Sequence, residues 1–310
     1  VPLTHLDAEL FDGAGVTKRD LVDYIDAVHP FLVRVLAGRA LSVVRVRAGQ
    51  APFMQKHLPT SAPSWVATVT LPARTARGEV RYPAANDRRT LLWLANQRAV
   101  EYHPQLFVGA SWDEPTSLVL DLDPPEGGGF APVVAVARLV RQVLDDAGMA
   151  SAAKTSGSKG VHVVVPLAGD VGVEDVAAAT RAAAARAEQL DPTVATTAFI
   201  KADRGGRVFL DSTRVGGATV VAAYSPRARP GLPVSFPVAW DDLDDATPAA
   251  FTVRTAVALL DGRDRWQEVM PPPQALDRDL VAQGHTIPVA RVQAMHEGKR
   301  RKRAAAQSTD

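Results

Sequence analysis

The sequence predicts an α/β protein of the mixed α+β kind, with mixed or antiparallel sheets flanked by helices. Three observations predict it. Short alternating or apolar runs with strand character occur at 40–49, 117–123, within 154–167 and at 206–213. Longer runs of helical period lie at 16–36, 130–148 and 173–190. The two kinds are interleaved without the regular alternation that an all-parallel sheet requires.

Each element has a local reason. Thr17 and Asp20 have capping-box spacing ahead of a stripe of Leu21, Ile25, Val28 and Leu32, so 16–36 reads as a helix stopping near Gly38. Residues 40–49 alternate and read as a strand, while 52–65 are loop-like. The run 90–100 is helical and leads through strand-like AVEY into EYHPQ. In SLVLDLDPPEGGG (117–129), Leu118, Leu120 and Leu122 share one strand face, and Val119, Asp121 and Asp123 share the other. Pro124 and Pro125 end the pairing. Pro132 and Gly148 punctuate the next helix. KTSGSKGVHVVVPL is a glycine-bearing turn feeding a strand, and 173–190 is an alanine-rich helix of high intrinsic propensity. Residues 224–237 read as an extended loop and 247–262 as a helix begun at Pro248. Order is less certain from 271 onward. The expected organisation is one catalytic domain over 1–296 and a basic, disordered tail over 297–310.

The chain of 310 residues is 46% hydrophobic and 22% charged, the composition of an ordinary soluble protein. It has no cysteine, which excludes disulfides, thiolate zinc sites and thiol catalysis. No signal peptide and no apolar run of roughly 18 residues is evident, so a cytoplasmic protein is expected, with no membrane partner. Net charge is only +1, so any nucleic acid must be held by a local basic surface.

Asp121 and Asp123 lie side by side at a strand end, where two carboxylates repel unless a cation stands between them. Hard oxygen ligands suit magnesium or manganese. In RVFLDST, Asp211 is a third acid at a strand terminus. Three acids from two strand ends suit a pair of divalent metals. TSGSKG (155–160) combines glycines and hydroxyls around Lys159, which suits an anion cradle, although such stretches are commonly plain turns. His103 is either a ligand contact or an ordinary hydrogen-bonded histidine. Arg227 and Arg229 form either a phosphate clamp or a solvated loop. Phe53 and Met54 beside Lys56 could stack on a base while the lysine meets phosphate, or could be buried apolar side chains. Lys299, Arg300, Arg301, Lys302 and Arg303 either hold nucleic acid weakly or solubilise the end.

Together, GVTKRDLVDYI, FMQKHLP with SAPSW, LLWLANQRAVEYHPQ, LVLDLDPPEGG, KTSGSKGVHV, VFLDSTR and YSPRARPGLPVS resemble the polymerase domain of bacterial ligase D, a branch of the archaeo-eukaryotic primase superfamily. The similarity runs from about Thr4 to about Leu243. It implies a primase-like core and a template-directed nucleotidyltransferase that extends primers, fills short gaps in repair or end joining, and prefers ribonucleotides. It also implies two metal ions, usually manganese, otherwise magnesium. Asp121, Asp123 and Asp211 match the metal-binding carboxylates. His103, Ser156, Lys159 and Arg227 match contacts to the incoming nucleotide (NTP or dNTP), and Arg214, at a polar position that some relatives fill with arginine, is expected among the nucleotide-binding residues. Lys18 matches a lysine that touches the 5′-phosphate of a downstream strand on gapped DNA.

Departures accompany the match. His5 and Ala8 stand where relatives carry asparagine and lysine in the downstream-phosphate pocket, so at most a modest 5′-phosphate preference is expected. Met54 replaces the second ring of a Phe-Phe pair, and Val215 an asparagine. No ligase or nuclease motif is evident, so the expectation is a stand-alone polymerase served by a separate ligase and end-joining proteins. The rival readings are a two-metal phosphoesterase or nuclease and a non-catalytic DNA-binding accessory.

Overall fold

The computed structural model describes residues 1–11, 13–47, 49–73, 78–169, 171–216, 219–289 and 295. In chain order the elements are α1 (Lys18–Leu36), β1 (Leu41–Arg47), β2 (Gln50–Gln55), β3 (Thr68–Pro72), β4 (Glu79–Pro83), α2 (Arg88–Asn96), β5 (Ala99–Pro104), β6 (Ser117–Asp123) and α3 (Ala131–Asp146). They continue with β7 (Ala152–Thr155), β8 (Val161–Pro166), α4 (Val173–Leu190), β9 (Ala195–Thr196), β10 (Val208–Asp211), β11 (Pro237–Val238), α5 (Ala256–Leu260), α6 (Arg265–Val269) and α7 (Arg278–Thr286). They fall into two compact units. The first comprises Val1–Ser117, Ala152–Lys159 and Gly217–Met270; the second comprises Leu118–Ser151, Gly160–Gly216 and Pro271–Asp310.

In the first unit, α1 starts at the expected capping box. Thr17 Oγ1 accepts from Asp20 N–H, and the Asp20 carboxylate accepts from Thr17 N–H at 2.7 Å. The buried stripe of Leu21, Ile25, Val28 and Leu32 is the predicted one. Strands β2, β1 and β5 form an antiparallel sheet in that order, and β5 is buried along its whole length. Residues 52–55, read from sequence as the start of a loop over 52–65, are therefore part of a strand. The side chains of β2 are mostly exposed, as at a sheet edge, so no apolar alternation marks it. The β3–β4 hairpin was likewise not anticipated.

The predicted helix 247–262 is also corrected. Only a 3-10 turn at Pro248–Ala250 and the short α5 form. Between them the backbone is taken by strand-like pairing: Val234 N–H donates to Phe251 O at 2.7 Å, and Val253 N–H to Leu232 O at 3.1 Å. The same pairing ties down the 224–237 loop, which is further held by Tyr24 Oη donating to Tyr224 O at 2.8 Å.

In the second unit, strands run in the order β8, β6, β10, β9. β10 is antiparallel to β6 and parallel to β9, so the sheet is mixed, as expected. Helix α4 buries Ala178, Ala179, Ala182, Ala183, Ala184 and Ala187. At Ala178 the helix does more than bury a methyl group, because α7 approaches its backbone closely. A Cβ on Gly284 of α7 would stand 1.8 Å from Ala178 O. Arg181 then caps the contact from α4, donating to Gly284 O at 3.1 Å. α6 and α7 were not anticipated, although Asp264 and Asp277 cap them. The basic tail lies outside the described residues.

Ordinarily Gly→Ala in a helix stabilises by about 1 kcal/mol. Gly284→Ala is expected to do the opposite, lowering stability by about 1–3 kcal/mol through overpacking. Thermal melts would check this, and an unchanged or raised midpoint would contradict the close crossing.

Candidate active site

Alternation in β6 sends Leu118, Leu120 and Leu122 into the core and leaves Asp121 and Asp123 together on the other face. The β10 register then decides the site. Asp211 pairs directly with Asp121, and Phe209 with Asp123. Residues directly opposite in an antiparallel pair have Cβ atoms about 5 Å apart, so the three predicted acids converge. Asp121 and Asp211 are only 7% and 6% exposed.

Two like charges so placed need a cation, and Arg214 supplies it. Its Nη2 lies 2.7 Å from Asp121 Oδ2 and 2.9 Å from Asp211 Oδ2. Thr213 fixes the other Asp211 oxygen, donating to Oδ1 from N–H at 2.8 Å and from Oγ1 at 2.6 Å. On the far side, His162 Nε2 lies 3.2 Å from Asp121 Oδ1. Burial, then the charge of Asp121, pushes Asp123 up to about 6; Asp211 adds to this, while Arg214 and Arg204 oppose it. Arg204 is held by donating to the Ala198 and Phe199 carbonyls, with its guanidinium 3.7 Å from the centroid of the Phe209 ring.

Among the described residues, no three acidic or histidine side chains form a ready-made metal site. The acids are closed on Arg214 instead. The donor set nevertheless fits a hard divalent cation, being carboxylate oxygens with a positive group already between two of them.

In the first unit, β5 and the 224–237 loop build a second polar cluster. Glu101, 7% exposed, joins its members. Its Oε2 lies 2.7 Å from His103 Nε2, its Oε1 accepts from Ala228 N–H at 2.8 Å, and Arg227 Nε lies 3.1 Å from the same Oε1. Arg227 also donates through Nη1 to Ser156 O. The Thr155–Lys159 turn can pass this close because Gly157 lacks a side chain. At φ +68°, a Cβ there would meet Arg227 Cγ and Ser235 N at 2.7 Å. Ser156 is buried and Lys159 exposed at the turn's tip. Lys154 is interior, donating to Val221 O and Ser235 Oγ. Of the predicted nucleotide-binding residues, His103, Ser156 and Arg227 are thus linked by hydrogen bonds and ion pairs, while Arg214 pairs with Asp121 and Asp211.

A third feature of the first unit is basic. His5, Lys18, Arg45, Arg47 and Arg98 line a pocket of about 320 Å³ with Thr4, Asn96 and Gln97, and among the described residues no acid contributes. Lys18 is buried, and its ammonium donates to Thr4 O. Burial, then Arg98, lowers its pKa. Phe53 on β2 lies 5.1 Å beneath the Arg47 guanidinium, while Met54 and Lys56 are exposed.

Sequence reasoning missed Glu101, His162, Arg204 and the three pocket arginines. Glu101 lies two residues from His103 on the same strand, so strand period two was an available signal for it, while nothing local marked His162.

Burial alone would raise the Glu101 pKa. The hydrogen bond to His103, the Arg227 charge and the Ala228 N–H outweigh it and bring the carboxyl from its ordinary 4.5 down to about 2. A depressed carboxylate stabilises the fold above its ordinary pKa and loses that contribution as pH falls through the folded value. Glu101→Gln is therefore expected to cost about 1–3 kcal/mol near neutrality. In denaturant melts, its deficit against the wild type should shrink as pH falls below 4.5. A deficit constant with pH would contradict this.

The family model "LigD, primase-polymerase domain" matches residues 17–266. The multifunctional non-homologous end joining DNA repair protein LigD of Mycobacterium tuberculosis is 38% identical over 256 residues, covering 79% of this chain and 34% of the relative. The bifunctional LigD of Bacillus subtilis is 31% identical over 259 residues, covering 82% and 41%. The chain thus spans about a third to two-fifths of the length of these curated relatives. The polymerase domain of Mycobacterium tuberculosis ligase D, solved in complex with DNA, superposes with TM-score 0.78 at 32% identity, covering 91% of this chain and 98% of that one. The chain belongs to the LigD primase-polymerase domain family, and so to a family of metal-dependent nucleotidyltransferases.

Proposed function

We propose that this protein extends a primer on a DNA template and fills short gaps in double-strand break repair by end joining, with ribonucleotides preferred over deoxyribonucleotides. The single observation carrying the proposal is the register that sets Asp211 opposite Asp121 with Asp123 beside them. Asp121, Asp123 and Asp211 would hold two manganese or magnesium ions. When bound, such ions lower the pKa of the primer 3′-hydroxyl and offset charge at the α-phosphate.

The other assignments follow from the chain's own side chains. Arg227, Ser156 and Lys159 bind the triphosphate, and His103 orients it. Glu101 is a positioning residue, since it touches His103 and Arg227 at once. Phe53 offers a ring for base stacking, with Met54 and Lys56 exposed beside it. The basic pocket binds DNA phosphates, with Arg47 and Arg98 as its outer charges. Because the Lys18 ammonium is turned inward onto Thr4 O, the preference for a downstream 5′-phosphate over a 5′-hydroxyl should be modest.

Asp211→Asn is expected to keep the fold and lower primer extension by ~100-fold or more, the scale of losing a transition-state charge clamp. Primer shortened by the wild type without nucleotide, or extension unaffected by the substitution, would overturn the polymerase assignment. Arg98→Ala should weaken binding to gapped DNA across all sequences and reduce the slope of log K against log salt by about 0.9. An unchanged slope in anisotropy titrations would remove this pocket from the DNA interface.

A further inference from the structure

We propose that Arg214 is a resident counter-ion which a divalent metal must displace before it can bridge Asp121 and Asp211. The inference rests on the polymerase reading above and concerns the loading of that same site. Like charges directly opposite on a ladder destabilise it, so the Asp121–Asp211 pair needs positive charge to fold as it does. Arg214 reaches both carboxylates with the same nitrogen, Nη2, so one donor group spans the two acids. Its Nε makes no hydrogen bond. That single nitrogen, 2.7 and 2.9 Å from the two oxygens, stands where a bridging cation would.

A guanidinium and a metal ion cannot occupy one point between the same two oxygens. Arg214 has somewhere to go: its side chain is 29% exposed, against 10% and 8% for the two acids. It lies only three residues beyond Asp211, past the end of β10, so it can swing out without moving either strand. Thr213, by contrast, keeps Asp211 aimed inward whether or not Arg214 is present. The arrangement lets the site fold without metal and sets a threshold for taking metal up.

The test is Mn²⁺ binding, read from the electron paramagnetic resonance of the free ion, for wild type, Arg214→Gln and Arg214→Lys without nucleotide or DNA. Arg214→Gln should bind Mn²⁺ about fivefold more tightly, the strength of one partly exposed ion pair. Arg214→Lys should fall between it and the wild type. In chelator, Arg214→Gln should melt below the wild type and gain more on adding Mn²⁺. Unchanged or weaker Mn²⁺ binding by Arg214→Gln would overturn the proposal while leaving the acids as metal ligands. No Mn²⁺ uptake by the wild type would overturn the polymerase reading as well. Should Arg214→Gln not fold, a Mg²⁺ titration of the ¹⁵N-arginine wild type decides. The Arg214 guanidinium signal should move to a solvent-exchanging position, and a signal unmoved at saturation would overturn the proposal.

Discussion

Two carboxylates face each other across β6 and β10, and much of the second unit can be understood as the means of keeping them there. Apolar burial of Leu118, Leu120 and Leu122 holds β6 in the core and forces Asp121 onto the opposite face. Pairing with β10 then brings Asp211 to meet it. Neither acid can leave without slipping the register by a residue, which would turn the leucines out of the core. Hydrophobic packing thus holds an electrostatic conflict in place, and Arg214 relieves it. Such a conflict is costly for a purely structural strand, and useful where a cation must be bound.

The first unit resolves a similar problem with the opposite sign. Arg227 and His103 gather on one side of β5, and Glu101 is the anion that holds them. A buried acid contacting both keeps the two side chains in place, so less ordering remains to be done on binding any ligand there. Gly157 contributes by absence, since any side chain there would strike the Arg227 stem. In each unit, a buried charged side chain is held by a partner whose role is visible only when the contacts are seen.

Close approach is the other recurring theme. Ala178 of α4 and Gly284 of α7 form a crossing with no room for a methyl group on Gly284. Composition suggested helix propensity for the alanines of α4. At Ala178 the consequence is also steric, because two backbones meet there and Arg181 donates to the Gly284 carbonyl.

What the sequence determined by itself was local. Period and punctuation were enough for α1 with its capping box, α3, α4, β6 and β10, and alternation alone put Asp121 and Asp123 on one face. A set of linked motifs was enough for the family. Elements whose hydrogen bonds go to distant segments were illegible: β2 at an exposed edge, and the 251–253 stretch drawn out of a helix by residues 232–234. The tertiary structure decided that Asp211 sits opposite Asp121, that Arg214 belongs to those acids, and that Glu101 serves His103 and Arg227. The reason is that side-chain period is a property of one strand, whereas register, burial and ion pairing belong to two or more segments far apart along the chain.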